Sequence, residues 1–328
     1  MNQTSIRHIQ SAIAIFAFAA AGHALAQAYP TRAINVIVPY APGGSVDPVG
    51  RMVMSKLSER VGQPIIIDNA VGAGGVIGTQ KAANAAADGY TLLFSVESSM
   101  VIAKLVTPST VKYDGLKDFA PISLVGTSPL VLVGKPELPA RNAAELLALL
   151  KSQPGKLNYA TSGIGSSLQL GGELVNQTAR VHMVHVPYKV GAQMVTDLAG
   201  NQIELAVLPL TSAREPARAG RIRAYGVMAP KRWSTAPEIP SLAEVPEFKG
   251  VEVMVWFGLF APAKTEAGIV ARLAREMDSV LAEGDMVKRL GDLNLEPARM
   301  TPQQFGAFLQ REHDKFSAIV KTANIKAE

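Results

Sequence analysis

Two short segments carry residue types suited to holding an anion. The first is Tyr40-Ala41-Pro42-Gly43-Gly44-Ser45, leading into Val46-Asp47-Pro48; the second is Ser162-Gly163-Ile164-Gly165-Ser166-Ser167. Glycines let the backbone approach a ligand closely, and the serines add small hydroxyl donors. Each segment follows an apolar run and precedes a helical pattern. Each therefore opens a helix, whose free N–H groups and positive dipole end favour negative charge. Gly and Ser also build ordinary turns; the recurrence of one layout in separate parts of the chain favours the anion cradle. Asp47 reads as a helix N-cap with Pro48 at the first helical position, where its missing N–H costs nothing. The sharper alternative has the Asp47 carboxylate bonding a ligand ammonium or hydroxyl.

Enzyme signatures are absent from the same segments. Gly163-Ile164-Gly165-Ser166 has the wrong order for a nucleophile elbow. Gly72-Ala73-Gly74-Gly75-Val76-Ile77-Gly78 has its third glycine one residue late for a dinucleotide fingerprint, and no phosphate-binding P-loop occurs. The chain has no cysteine, which excludes disulfides, thiol catalysis, iron–sulfur clusters and cysteine-based zinc sites. His182 and His185 fall three apart on a predicted strand and point to opposite faces, a poor metal pair. Asp197 and Glu204, at predicted element ends, read as solvated. No metal, no cofactor and no catalytic residue is expected.

The elements that must position these loops are legible as short apolar runs alternating with helical patterns. Ala33–Pro39, Pro64–Asp68, Thr91–Ser95, Leu130–Val133, Asn158–Thr161, Val181–Val186, Ile203–Leu208, Ile222–Val227 and Val251–Phe260 read as strands. Val49, Met52, Val53, Leu57 and Val61 recur at helical spacing, with Gly62 as the stop. Further helices are predicted over 143–151, from Ser166, and over 266–283 and 302–322, the last opened by Thr301-Pro302. Ile269, Leu273 and Met277 form a core-facing stripe. Such alternation implies an α/β chain with parallel or mixed sheets.

Of the 328 residues, 48% are hydrophobic and 18% charged, a globular composition. The net charge of +5 is spread along the chain, with no basic stripe for nucleic acid. Aromatic content of 6% disfavours a sugar site built on stacked rings. Arg7 and His8 precede the apolar run Ala12–Ala21, and Ala24-Leu25-Ala26 follows as a small-residue cleavage site. This is the layout of a secretory signal peptide cut after Ala26, too short in its apolar part to span a bilayer.

Taken in order, Tyr29-Pro30, Tyr40-Ala41-Pro42-Gly43-Gly44, Asp88-Gly89-Tyr90-Thr91-Leu92, Leu157–Ser166, His185-Val186-Pro187-Tyr188-Lys189 and Trp256–Pro262 resemble the Bug-type, or TctC-type, solute-binding proteins of the tripartite tricarboxylate transporter system. The resemblance covers residues 29 to 328. It implies a two-lobed periplasmic-binding-protein fold, type II-like, with a ligand cleft between the lobes. Lobe 1 would comprise 27–128 plus 254–328 and lobe 2 129–253, after a signal peptide over 1–26. It also implies a periplasmic monomer that captures a small carboxylate for membrane transporter components or a sensor protein. The alternatives are an exported enzyme on the same fold and a signalling receptor.

The candidate ligand-binding residues are Tyr40, Ala41, Gly43, Gly44, Ser45 and Asp47 in the first loop. Ser162, Gly163, Gly165, Ser166 and Ser167 stand in the second, with Ser95 at the end of the third strand and Ser99 after it. Ser166 or Ser167 is expected to hydrogen-bond the anion. The chain departs from the family pattern at Met100, Gln169, Val190, Gln193 and Leu208-Pro209, positions expected to border the cleft. With Asp47 as the only acid in either loop, the expected ligand is a carboxylate without an amino group.

Overall fold

The computed structural model describes residues 29–43, 46–188 and 191–326. The proposed signal peptide, Gly44, Ser45, Lys189 and Val190 lie outside the described residues. Ten strands join one continuous sheet: β1 (Ile34–Val38), β2 (Ile65–Asn69), β3 (Thr91–Val96), β4 (Phe119–Gly134), β5 (Asn158–Thr161), β6 (Val184–Pro187), β7 (Leu205–Pro209), β8 (Arg223–Val227), β9 (Met254–Pro262) and β10 (Glu296–Pro297). The helices are α1 (Val46–Val61), α2 (Val76–Ala83), α3 (Ala103–Val106), α4 (Ala143–Ser152), α5 (Ser167–Ala179), α6 (Gly191–Ala199), α7 (Leu210–Arg218), α8 (Ala267–Ala282), α9 (Gly284–Asp292) and α10 (Pro302–Thr322).

The main path through the sheet runs β2-β1-β3-β9-β4-β7-β5-β6. β1 is parallel to β2 and β3, and β5 is parallel to β6 and β7, pairings that need crossover connections, here through helices. β9 runs antiparallel to both β3 and β4. The long strand β4 changes partners part-way along. Phe119 to Pro129 pairs with β9, whereas Leu130 to Gly134 lies between β7 and β8. The predicted strand at Leu130–Val133 is therefore only the end of β4. The missed portion contains Pro121 and Gly126, and the register shifts between Pro121 and Ser123 and again between Leu124 and Gly126. Proline and glycine weaken a strand signal and mark such irregularities.

Two cores flank the partner change. Val36, Val38 and Phe94 pack with Val53 and Leu57 of α1 and with Leu273 and Met277 of α8. Leu130 to Val133 and Val207 pack with Leu146 and Leu150 of α4 and Leu170 of α5. Each side chain of this size contributes about 1.5–3 kcal/mol on full burial. The expected stripe on α8 is thus core at Leu273 and Met277, with Ile269 packed at its margin. The predicted strands at β6 and β7 begin three and two residues early and end one residue short, and His182 precedes β6 rather than lying on it.

Candidate functional site

A cavity of about 620 Å³ opens where the carboxyl ends of β3, β5 and β7 meet α1, α5 and α6. Open α/β sheets place their ligand crevices at such strand ends. Its wall includes Tyr40 and Val46 from the first loop and α1, and Ser162, Ser166, Ser167 and Leu168 from the second loop and α5. The two glycine loops singled out in the sequence therefore reach one space. Val96 closes it from the end of β3 and Glu97 and Ser98 from just after it, Leu208 and Pro209 from β7, Met194 from α6, and Val255 and Phe257 from β9.

The second loop is built by reciprocal capping. Ser166 is the N-cap of α5: its hydroxyl accepts the Gln169 N–H at 3.3 Å and donates to the Gly163 carbonyl at 2.7 Å. The Gln169 carboxamide turns back to accept the Gly165 N–H at 2.7 Å. Gly163 (φ +122°) and Gly165 (φ +76°) hold conformations that side-chain-bearing residues rarely adopt. Below the loop, the Thr161 hydroxyl bonds His185 Nε2 at 2.6 Å. Burial lowers the His185 pKa, which favours the neutral imidazole. Ser167 and Leu168 open the first turn of α5, which carries no acidic residue. This helix end keeps its positive character toward the cavity.

The first loop is different. Asp47 is not the N-cap of α1 but its second residue, 3% exposed. Its carboxylate accepts the Gly43 N–H at 3.1 Å, Arg51 Nε at 2.9 Å and Asn69 Nδ2 at 2.9 Å. Burial alone would raise its pKa; the donors from Arg51, Asn69 and Gly43 outweigh that and hold it below the ordinary carboxylate range. The group is committed to fixing the loop. A negative charge inside the first turn of α1 also cancels the anion-attracting end of that helix. Of the two loops, the second is the better anion site.

The other candidates divide cleanly. Ser95 and Ser99 are buried and share a hydrogen bond of 2.6 Å, while the Tyr113 hydroxyl donates to the Ser99 carbonyl. Neither lines the cavity. Ala41 is exposed, and Gly43 borders a separate depression of about 320 Å³ with Pro48 and Leu293. Burial pushes the Tyr40 pKa well up, so its hydroxyl is a neutral phenol. Met100, expected at the cleft, is core at 1% exposure. Gln193 bonds Asp197, which also accepts the Tyr188 hydroxyl at 2.9 Å. Glu204 accepts from the Asn158 backbone and side chain. Asp197 and Glu204 are thus structural acceptors, not solvated charges.

The residue that sequence reasoning missed is Glu97. It is 2% exposed and stands in the cavity wall. One oxygen accepts the Trp256 backbone N–H at 3.2 Å and the other the Ser98 hydroxyl at 3.3 Å. Among the described residues no Lys or Arg pairs with it. Burial pushes its pKa up to about 7; the Trp256 N–H and the Ser167 hydroxyl pull down, and Glu312 pushes further up. The available signal was its place directly after β3, where strand ends feed a crevice. Arg221 is the other ionisable group of the described wall besides Tyr40, exposed and without an ion pair among the described residues. No cluster of three or more His, Asp or Glu suited to a metal occurs among the described residues.

Comparison with known proteins adds the wider context. The profile of the "Tripartite tricarboxylate transporter family receptor" family matches residues 49–325. The chain is similar to Protein BugT of Bordetella pertussis, 34% identical over 92% of each chain. It is also similar in structure to a Rhodopseudomonas palustris protein solved with adipate, with TM-score 0.79 and 31% identity over 91% of this chain and 99% of that one. MatC of R. palustris, solved with bound malate, gives TM-score 0.74 and 30% identity over 89% of this chain and all of the other.

Proposed function

The chain belongs to the tripartite tricarboxylate transporter receptor family, and from that premise we propose that it is a periplasmic solute-binding protein whose cavity captures one small carboxylate. The observation that carries this reading is the first turn of α5, where Ser166 caps the Gln169 N–H while Ser167 and Leu168 open onto a cavity shared with the first loop. A carboxylate there meets backbone N–H groups and the helix dipole, while Val96, Met194, Leu208 and Phe257 suit an aliphatic body. The similar proteins solved with malate and adipate support ligands of this kind.

The partner change of β4 at Pro129 and Leu130 supports a division into one lobe of 27–128 plus 254–328 and another of 129–253. The ligand then lies between them, and closure excludes water around it. The N-terminal segment supports export with cleavage after Ala26. Among the described residues no helix is long and apolar enough to cross a membrane. The role is capture and delivery, by a monomer, to membrane transporter components or a sensor protein, with no chemical step.

Calorimetry of the mature protein against a panel of mono- and dicarboxylates, adipate and malate included, tests the reading. Saturable binding of one molecule per chain is expected. A panel without a single binder would overturn it.

A further inference from the structure

A buried carboxyl without a cation beside it, facing a cavity that takes anions, poses a charge problem. Glu97 closes one side of the cavity, and its neighbour Ser167 opens the helix end where a ligand carboxylate fits best. Two carboxylates so close in a low-dielectric site cannot both be ionised; they share a proton. The groups facing Glu97 do not relieve this. From its own segment comes the Ser98 hydroxyl, from β9 the Trp256 N–H and from α5 Ser167, all neutral. α10 contributes Glu312, itself buried and paired with Lys315 at 2.5 Å, and its charge opposes ionisation of Glu97. Tyr40 is a neutral phenol, and Arg51 is taken by Asp47. Arg221 shares the wall but makes no ion pair with Glu97.

Resting on the reading of the cavity as a carboxylate site, we propose that Glu97 is a specificity-determining residue that stays protonated in the complex and donates its O–H to the ligand carboxylate, so that capture takes up a proton. The pair forms as ligand–COO⁻ plus Glu97–COOH, joined by one hydrogen bond with the proton retained. Where Glu97 is ionised before binding, the proton comes from solvent. Its burial-raised pKa of about 7 puts that boundary within the range an exported protein meets. The arrangement selects against an ammonium-bearing ligand, because a neutral carboxyl offers it no compensating charge. Amino-free carboxylates remain preferred, for a reason the sequence did not contain.

The test uses adipate, malate and aspartate as probes in calorimetry from about pH 6.5 to about pH 8.5, in buffers of different ionisation enthalpy. With adipate or malate, proton uptake should approach about one per ligand at the alkaline end, and Kd should rise about tenfold per pH unit above about 7. Glu97→Gln keeps a donor of the same shape and should bind with no proton uptake and a flat pH profile. The wild-type proton count does not depend on that variant folding well. Binding of adipate or malate without proton uptake would overturn the proposal alone. So would aspartate binding that tightens as pH rises and is lost in Glu97→Gln, which would make Glu97 an ammonium acceptor. No binding of any probe to the wild type would remove the carboxylate reading of the cavity, and the proposal with it.

Discussion

At the scale of single residues, Glu97 and Asp47 give opposite pH signatures. The Glu97 pKa rises on folding from 4.5 to about 7. The folded chain then binds more protons than the unfolded one across that interval, so stability falls as pH rises from about 4.5 to about 7 and is unaffected beyond it. The total is on the order of 3 kcal/mol. Asp47 is lowered from 3.8, so its contribution is present above that value and is lost as pH falls below it. Across about pH 5 to about pH 7 the His185 imidazole, lowered by burial, works in the opposite direction, so it is urea unfolding of the wild type compared with Glu97→Gln that isolates Glu97. Stability of the wild type relative to Glu97→Gln should drop across that window; equal pH slopes in both would place the effect elsewhere. The serines also separate. The Ser166 hydroxyl is occupied by Gly163 and Gln169, so Ser166→Ala should cost about 1 kcal/mol of unfolding free energy as a lost cap. Ser167→Ala should instead weaken adipate binding about tenfold, the worth of one hydrogen bond to a charged group. Calorimetry and denaturant melts on the two variants would contradict this if the pattern were reversed.

At the scale of elements, the site depends on how closely α5 seats on β5. A Cβ on Gly172 would meet Tyr159 Cε2 at 2.1 Å. Tyr159 is fully buried and its hydroxyl donates to Glu173 at 2.6 Å, so the ring has nowhere to go. Gly172→Ala should cost about 1–3 kcal/mol through overpacking. Because α5 must lift, the same change should also weaken carboxylate binding; a variant with wild-type melting and wild-type affinity would show that the helix is free to shift. Most elements were legible because their signals are local. β1, β3 and β5 are β-branched or apolar runs bounded by turn residues, and α10 announces itself by Thr301-Pro302, which the structure shows as a full capping box with Gln304. The first half of β4 was not legible, since Pro121 and Gly126 break the run and its pairing with β9 comes from far along the chain. The turn Ser98–Ile102, a π-helix that leads from Glu97 into α3, has no sequence signature either. Glu97 escaped notice for the same reason. A lone acid after a strand reads as solvated until β9 and α5 are laid against it.

For the molecule as a whole, the decisive feature is that one cavity draws its wall from both sides of the partner change in β4. Tyr40, Val46, Val96, Glu97 and Phe257 belong to elements gathered around β1, β3 and β9, while Ser166, Ser167, Met194 and Leu208 belong to those around β5 and β7. A ligand that touches both groups lowers the free energy only of states in which both are folded and in place. At 100 times its dissociation constant it should add about 2.7 kcal/mol to the unfolding free energy. The same linkage predicts where local openings are suppressed. Hydrogen exchange should slow together in two distant stretches of chain, 91–102 after β3 and 162–170 at the start of α5. The outer helices α8 and α9, none of whose described residues lines the cavity, should change only by the global increment. Exchange measured by mass spectrometry with and without saturating adipate or malate reads this directly. Protection confined to 162–170 would mean that the ligand rests on α5 alone, and neither Glu97 nor a closing movement of the two sides could then take part in holding it.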